Sequence, residues 1–228
     1  VVDVYNGGDK LKYRCLILDH DDTAVKSTPD IHYPSFIEAL KILRPEMKTL
    51  SLEEFVSYCF NPGFMELCRD VLKFSNDEQE YQYKIWSSYT KAKSPDFYEG
   101  FTELLKEYKK SGGIICVVSH SESRQITRDY ILNCNFTPDL IFGWDLEEHQ
   151  RKPNPYPVLE IMKKFKLDVQ DVLVVDDLKP GLDMARSCNV DFAGAGWSHM
   201  IPEVKDYMKK NSDYYFSTVE SFKEFILT

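Results

Sequence analysis

The chain has 228 residues, 43% of them hydrophobic and 29% charged, with a formal charge of −9. That content suits an ordinary globular protein, either one large domain or a core with a smaller insert, and excludes disordered and fibrous classes. The acidic balance and the lack of a Lys/Arg cluster exclude a general nucleic-acid partner, because phosphate backbones are held by grouped cations.

The chain opens on Val1-Val2-Asp3-Val4-Tyr5, which is neither basic nor apolar over enough length for a signal peptide. No run has the length of a membrane span. The cysteines at 15, 59, 68, 116, 134 and 188 share no C-x-x-C spacing. Reduced thiols in a cytoplasmic protein are therefore expected, with no disulfide frame and no zinc site.

The first predicted strand is Cys15-Leu16-Ile17-Leu18, ending at Asp19. From about Ser27 to Ser94 no strand is predicted. Amphipathic helical pieces at 36–43, 52–60, 64–72 and 78–89 fill the stretch, punctuated by Pro29, Pro34, Pro45, Pro62 and Pro95. The α/β alternation then begins. Phe101, Leu104, Leu105 and Tyr108 mark a helix stopped by Gly112-Gly113, and a strand follows at 114–118, ending at Ser119. A third strand covers 140–142. Asn154-Pro155 opens a helix with Val158, Ile161, Met162 and Phe165 on one face. A fourth strand, 172–175, ends at Asp176, and weaker ones are predicted within 190–194 and at 214–216. Short continuous apolar runs suit strands covered on both faces. The expectation is an α/β protein: a Rossmann-like, doubly wound parallel sheet core from residues 1–26 and 95–228, with an inserted α-helical cap domain at 27–94. Lys109-Lys110, Lys163-Lys164 and Lys209-Lys210 fall near predicted helix ends, where cations complement the dipole.

In an open α/β sheet, ligands bind beyond the carboxyl ends of the strands. There the sequence places Asp19-His20-Asp21-Asp22-Thr23, Ser119-His120, Arg151-Lys152-Pro153-Asn154-Pro155 and Asp176-Asp177. Five carboxylates on one edge would repel one another and raise their pKa values unless a cation were bound. Hard oxygen donors select magnesium. A metal beside a carboxylate nucleophile and a lysine suits phosphoryl transfer, where the charge on the moving group must be neutralised.

These four motifs, in this order and at strand ends, resemble those of the haloacid-dehalogenase-like superfamily. The resemblance covers nearly the whole chain, and the helical insert matches the family's cap. It implies that Asp19 attacks phosphorus and binds Mg2+. Asp21 would act as acid and base, its backbone carbonyl completing the protein's metal ligands. Ser119 and Lys152 would hold the phosphoryl oxygens, and Asp177 and Asp176 would serve the metal. An Asp at position 21 separates phosphate-ester enzymes from the dehalogenases and phosphonatases. The chain departs from the family at Asp22, where Gly is usual, and at Gly181, where many relatives carry another acid. Asp tolerates left-handed backbone better than most residues, which keeps the turn at 22 accessible.

His32 and His120 are candidate substrate contacts. Arg124 and His149 read as surface residues and Trp197 as a packing residue. Of the aromatic residues in the insert, including Phe55, Tyr58, Tyr81, Tyr83, Trp86 and Tyr89, most are expected in its core, with Phe60 or Phe64 placed to reach substrate. The expected activity is hydrolysis of a small phosphorylated metabolite, of the sugar-phosphate or phosphoglycolate class, through an aspartyl-phosphate. A phosphosugar mutase with the same nucleophile is the alternative, and a non-catalytic binding relative is the third.

Overall fold

In the computed structural model, residues 11–228 are described; the N-terminal segment read above lies outside them. Six strands are β1 (Cys15–Leu18), β2 (Ile114–Val118), β3 (Leu140–Phe142), β4 (Val172–Asp176), β5 (Asp191–Ala195) and β6 (Tyr214–Phe216). They form one parallel sheet in the order β3-β2-β1-β4-β5-β6. Chain order reverses its spatial direction between β1 and β4, so the crevice where such sheets bind ligands opens at their carboxyl ends.

Alternation along the strands builds two apolar layers. Leu16 and Leu18 face one side with Leu173 and Val175, packed on Phe101, Leu104, Ile126, Tyr130 and Phe222. Cys15 and Ile17 face the other with Val172 and Val174, packed on Val158, Ile161, Leu182, Ala185 and Val204. The first layer is covered by α5 (Phe101–Lys110), α6 (Ser123–Cys134) and α10 (Val219–Leu227), the second by α7 (Tyr156–Phe165), α8 (Lys179–Ser187) and α9 (Pro202–Asn211). Both faces are thus buried, which is why these strands read as continuous apolar runs. The three lysine pairs fall in the last turns of α5, α7 and α9.

Between β1 and β2 lie α1 (Tyr33–Leu43), α2 (Leu52–Phe60), α3 (Phe64–Glu66) and α4 (Asn76–Ala92). They enclose a separate apolar cluster of Phe36, Leu40, Phe55, Leu67, Leu72 and Phe74. Capping boxes at Ser51/Glu54 and Ser75/Glu78 fix the starts of α2 and α4 by satisfying backbone N–H groups that lack a partner within the helix. The insert departs from its sequence reading in two places. The helix expected over 64–72 becomes one turn of α3 followed by a π-helix, Leu67–Val71, and a second π-helix, Thr28–His32, leads into α1. A π-turn takes one more residue per hydrogen bond, so apolar spacing alone does not reveal it. The chain enters and leaves the insert through paired segments: Lys26 N–H donates to Asp96 O at 2.8 Å and Tyr98 N–H to Ala24 O at 3.0 Å.

Candidate active site

The loop after β1 folds back at once. Ala24 and Val25 N–H both donate to His20 O, and Asp22 N–H donates to Val25 O at 2.7 Å. This turn requires a left-handed residue, and Asp22 supplies it with φ 57°. Its carboxylate is occupied as well: Oδ1 accepts from the N–H of Ser27 at 3.3 Å and of Thr28 at 3.2 Å. The side chain at this unusual position therefore caps the start of the next helical segment. Trp197 packs on Phe101 and Phe222, as its packing role predicts, and its indole N–H donates to Thr23 O at 3.0 Å, bracing the loop.

Asp19 leaves β1 beside β4, its N–H bonded to Val175 O. Lys152 Nζ donates to Asp19 Oδ1 and to Asp176 Oδ2, each at 2.7 Å. All three groups are buried, with relative exposures of 6%, 8% and 2% for Asp19, Lys152 and Asp176. Burial pushes Asp19 up to about 7; Lys152 pulls it back, while Asp177 and Asp21 add to the rise. Asp176 is raised to about 6, by burial first and against the pull of Lys152. Asp177 is raised by burial, against its bond to His199. Burial would make Lys152 easier to deprotonate, but the two carboxylates outweigh it and hold the ammonium charged. Sequence reading placed these groups on one edge, and the structure brings them into direct contact.

Asp19, Asp176 and Asp177 present oxygen atoms that all lie within 4.8 Å of one another. Three buried carboxylates whose protons are held too tightly, with one lysine between two of them, form a donor set that a hard divalent cation fits. Asp22, Asp177 and His199 form a second such group, sharing Asp177.

Asp21 is held by four donors. Ser27 Oγ at 2.8 Å and His32 Nε2 at 2.8 Å donate to Oδ1; Ser121 Oγ at 2.6 Å and Ser119 Oγ at 3.2 Å donate to Oδ2. Burial would raise its pKa, but His32 and the hydroxyls hold it well below the carboxylate range. His120 contributes differently from the expected substrate contact alone. Its Nε2–H donates to Lys152 O at 2.9 Å, anchoring the lysine's backbone, and burial lowers its pKa to about 4, keeping the ring neutral. Both His32 and His120 line the cavity described next. Arg124 is exposed and pairs with Glu122 at 2.6 Å, and His149 is exposed.

A cavity of about 860 Å³ lies above the acidic cluster, walled by Asp19, Asp21, Ser119 and Lys152 on one side and by the helical insert on the other. Phe60 and Phe64 line it, and so do Tyr83 and Trp86, which the sequence reading assigned to the insert's core; Phe55 edges it while remaining in that core. Helical spacing identifies a face, not whether that face meets core or cleft. Arg151 stacks 3.8 Å from the Trp144 ring centroid at the cavity wall.

His199 was absent from the sequence reading. It sits in the segment after β5, and its Nε2–H donates to Asp177 Oδ2 at 2.6 Å while Thr23 Oγ1 holds Oδ1 at 3.1 Å. Nothing in the spacing of a lone His 22 residues from Asp177 marks it. Ser121 was passed over beside Ser119. The buried pair of His20 and Asp129, at 3.2 Å beneath the site, joins residues 109 positions apart and carries no local signal.

The family described as haloacid dehalogenase-like hydrolase matches residues 16–195, from β1 through β5. The chain is 28% identical over 214 residues, 90% of each chain, to PpaX of Caldanaerobacter subterraneus, a protein named as a pyrophosphatase. Among solved structures it resembles a predicted phosphoglycolate phosphatase of Haemophilus somnus with TM-score 0.75 and 20% identity, over 95% of this chain and 99% of that one. It also resembles CbbY of Rhodobacter sphaeroides, solved with xylulose-(1,5)-bisphosphate, with TM-score 0.69 and 15% identity, over 90% of this chain and 94% of the other. At these identities the structural likeness shows a shared fold.

Proposed function

The chain belongs to the haloacid dehalogenase-like hydrolase family, and we propose that it is a magnesium-dependent phosphatase of small phosphomonoesters. The substrate classes we favour are sugar phosphates and phosphoglycolate. The observation that carries this reading is Lys152 Nζ bridging Asp19 and Asp176 at 2.7 Å each, beside Asp177, at the carboxyl edge of the sheet.

In this reading Asp19 attacks phosphorus and carries the phosphoryl group as an aspartyl-phosphate. Asp19, Asp176 and Asp177 would hold Mg2+, with the backbone carbonyl of Asp21 completing the set; when bound, the ion would offset charge on the phosphoryl oxygens and keep Asp19 ionised. Lys152 contributes a fixed positive charge to the transferring oxygens, and Ser119 a hydroxyl donor. Asp21, held as a carboxylate by its four donors in the open site, takes up a proton as those donors yield, gives it to the leaving oxygen and then takes one from the attacking water, help worth about 10²–10⁴-fold in such sites. The four donors around Asp21 must yield as the phosphoryl group arrives, since Ser119 is needed by both.

Residues 27–94 act in this proposal as a cap over the core of 1–26 and 95–228, moving on the paired segments near Lys26 and Asp96. Closure excludes water and positions the leaving group. Among the described residues no helix is long and apolar enough to cross a membrane. Six free cysteines, five of them buried, support a reducing, cytoplasmic setting.

Release of inorganic phosphate from a panel of phosphate esters, with and without Mg2+, tests the reading. Magnesium-dependent release that Asp19→Asn abolishes supports it. No release from any ester by a folded, metal-binding chain counts against it, and a requirement for a sugar bisphosphate points to the mutase.

A further inference from the structure

We propose that Trp86 is a positioning residue whose indole N–H fixes the ring of His32 so that His32 can only donate to Asp21, tying the acid–base carboxylate to the seating of helix α4. This deepens the phosphatase reading and rests on it for the role of Asp21.

Trp86 Nε1 lies 2.8 Å from His32 Nδ1, and His32 Nε2 lies 2.8 Å from Asp21 Oδ1. An indole nitrogen has a proton to give and no lone pair to accept one, so its partner must be an acceptor. His32 Nδ1 is therefore the bare nitrogen, and the ring's proton sits on Nε2, aimed at Asp21. The two partners of the ring fix its tautomer. The two rings lie nearly parallel, with centroids 6.2 Å apart and an interplanar angle of 21°. A second ring proton would set two N–H groups against each other across 2.8 Å, so the indole bond and a doubly protonated His32 exclude each other.

Trp86 is not an isolated contact. Tyr83, Trp86 and Thr90 occupy one face of α4 at i, i+3, i+7; Tyr83 and Thr90 reach out of the insert, while Trp86 bonds His32 within it. Tyr83 Oη donates to the buried carboxylate of Glu122, and Thr90 Oγ1 accepts from Gln125 Nε2 at 2.7 Å. Arg128 Nη1 donates to Thr90 O at 2.8 Å, and Arg128 pairs with Asp129, which holds His20 beside Asp21. Helix α4 is thus seated on the start of α6 by contacts on both sides of Trp86. Trp86 and His32 both ride on the insert, so moving α4 off α6 leaves the indole bond in place and draws the fixed His32 ring away from Asp21. Trp86 also walls the cavity. The relay therefore couples the position of the insert, which carries a His32 ring of fixed tautomer, to the hydrogen bonding of Asp21.

The test is Trp86→Phe, which keeps an aromatic ring on this face of α4 and removes the N–H together with the rest of the pyrrole ring. Ring nitrogen signals of ¹⁵N-histidine-labelled, metal-free protein are recorded at one fixed pH, with His32→Gln identifying the His32 pair. The expected wild-type signals are a bare Nδ1 and a protonated Nε2, and the expected variant signals are a mixture of tautomers or the doubly protonated ring. Turnover of an alkyl phosphate should fall about tenfold in kcat, with KM within about twofold, since the indole N–H touches His32 rather than substrate. A doubly protonated His32 in the wild type, or unchanged His32 signals in Trp86→Phe, overturns the proposal. So does a changed tautomer with unchanged kcat. A wild type inactive on every ester sinks the phosphatase reading instead, while the His32 signals still decide the relay.

Discussion

Gly181 stands so close to Asp176 that a Cβ on the glycine would lie 2.2 Å from Asp176 Oδ2 and 2.4 Å from its Cβ. Position 181 is where many relatives carry another acid; here the missing side chain is what lets the N-terminal turn of α8 close over the carboxylate. Asp176 uses that space fully, accepting Leu178 N–H at 2.9 Å on Oδ1 and Lys152 on Oδ2. In Gly181→Ala the carboxylate must move, so both metal affinity and turnover should fall. We expect overpacking to cost about 1–3 kcal/mol in stability and Mg2+ affinity to weaken about tenfold. Thermal melts and calorimetric titration measure the two effects; an unchanged Mg2+ affinity would remove Asp176 from the metal's surroundings.

Burial sets the direction of the pH dependence. Asp19 titrates at about 7 and Asp176 at about 6 in the folded chain, against roughly 3.9 for an unfolded aspartate. Between those values the folded state binds more protons than the unfolded one. Stability from these groups is full below about pH 4 and is lost as the pH rises through about 7. His199 acts in the same sense, since against burial its bond to Asp177 raises its pKa. The metal-free protein should therefore melt at a lower temperature at about pH 8 than at about pH 5.5, and added Mg2+ should raise the melting temperature more at the higher pH, where it displaces no protons. Equal Mg2+ shifts at both pH values would contradict the proton–metal competition.

His199→Ala removes the donor on Asp177 Oδ2 while leaving Thr23 on Oδ1. A hydrogen bond that orients a metal-binding carboxylate typically contributes 10–100-fold in affinity. The expected result is Mg2+ binding weakened by about tenfold or more, partly restored in His199→Gln, with the fold intact by circular dichroism. Unchanged binding in the alanine variant would make the His199 contact incidental to the metal.

How much of this was legible beforehand depends on sequence distance. The strands at 15–18 and 114–118 fall where the apolar runs put them, because a strand buried on both faces writes its length in Val, Ile, Leu and Cys, and the half-buried edge strands at 140–142 and 214–216 fall where Leu-Ile-Phe and Tyr-Tyr-Phe put them. Asp19, Ser119 and Asp176 were legible for a related reason: each terminates or follows such a run, and the parallel register brings those ends together; Lys152, in the loop beyond β3, was legible through its Lys-Pro-x-Pro motif. His199, His20–Asp129 and the Trp86–His32 bond were not. Each joins positions far apart through side chains that no periodicity marks, and one of them depends on a π-turn that places His32 one step further round the chain.

Asp22 illustrates a legible conflict with an illegible resolution. The sequence shows an acid where a glycine is usual, but only the structure shows its carboxylate capping Ser27 and Thr28 N–H from a left-handed backbone. Asp22→Asn keeps both the backbone tolerance and an acceptor and should be nearly neutral in stability. Asp22→Ala loses both and should cost about 2 kcal/mol. Denaturant unfolding of the pair checks this; equal stability would mean that the cap contributes nothing.

The central claim is that Asp19 carries the phosphoryl group. Its most direct test is mass spectrometry of the peptide holding Asp19, from single-turnover reactions quenched in acid with an active ester and Mg2+. The account predicts that this peptide transiently gains one phosphoryl group, that the gain decays as inorganic phosphate appears, and that Asp19→Asn neither gains it nor releases phosphate. Phosphate release with no such gain, or turnover surviving in Asp19→Asn, would contradict it.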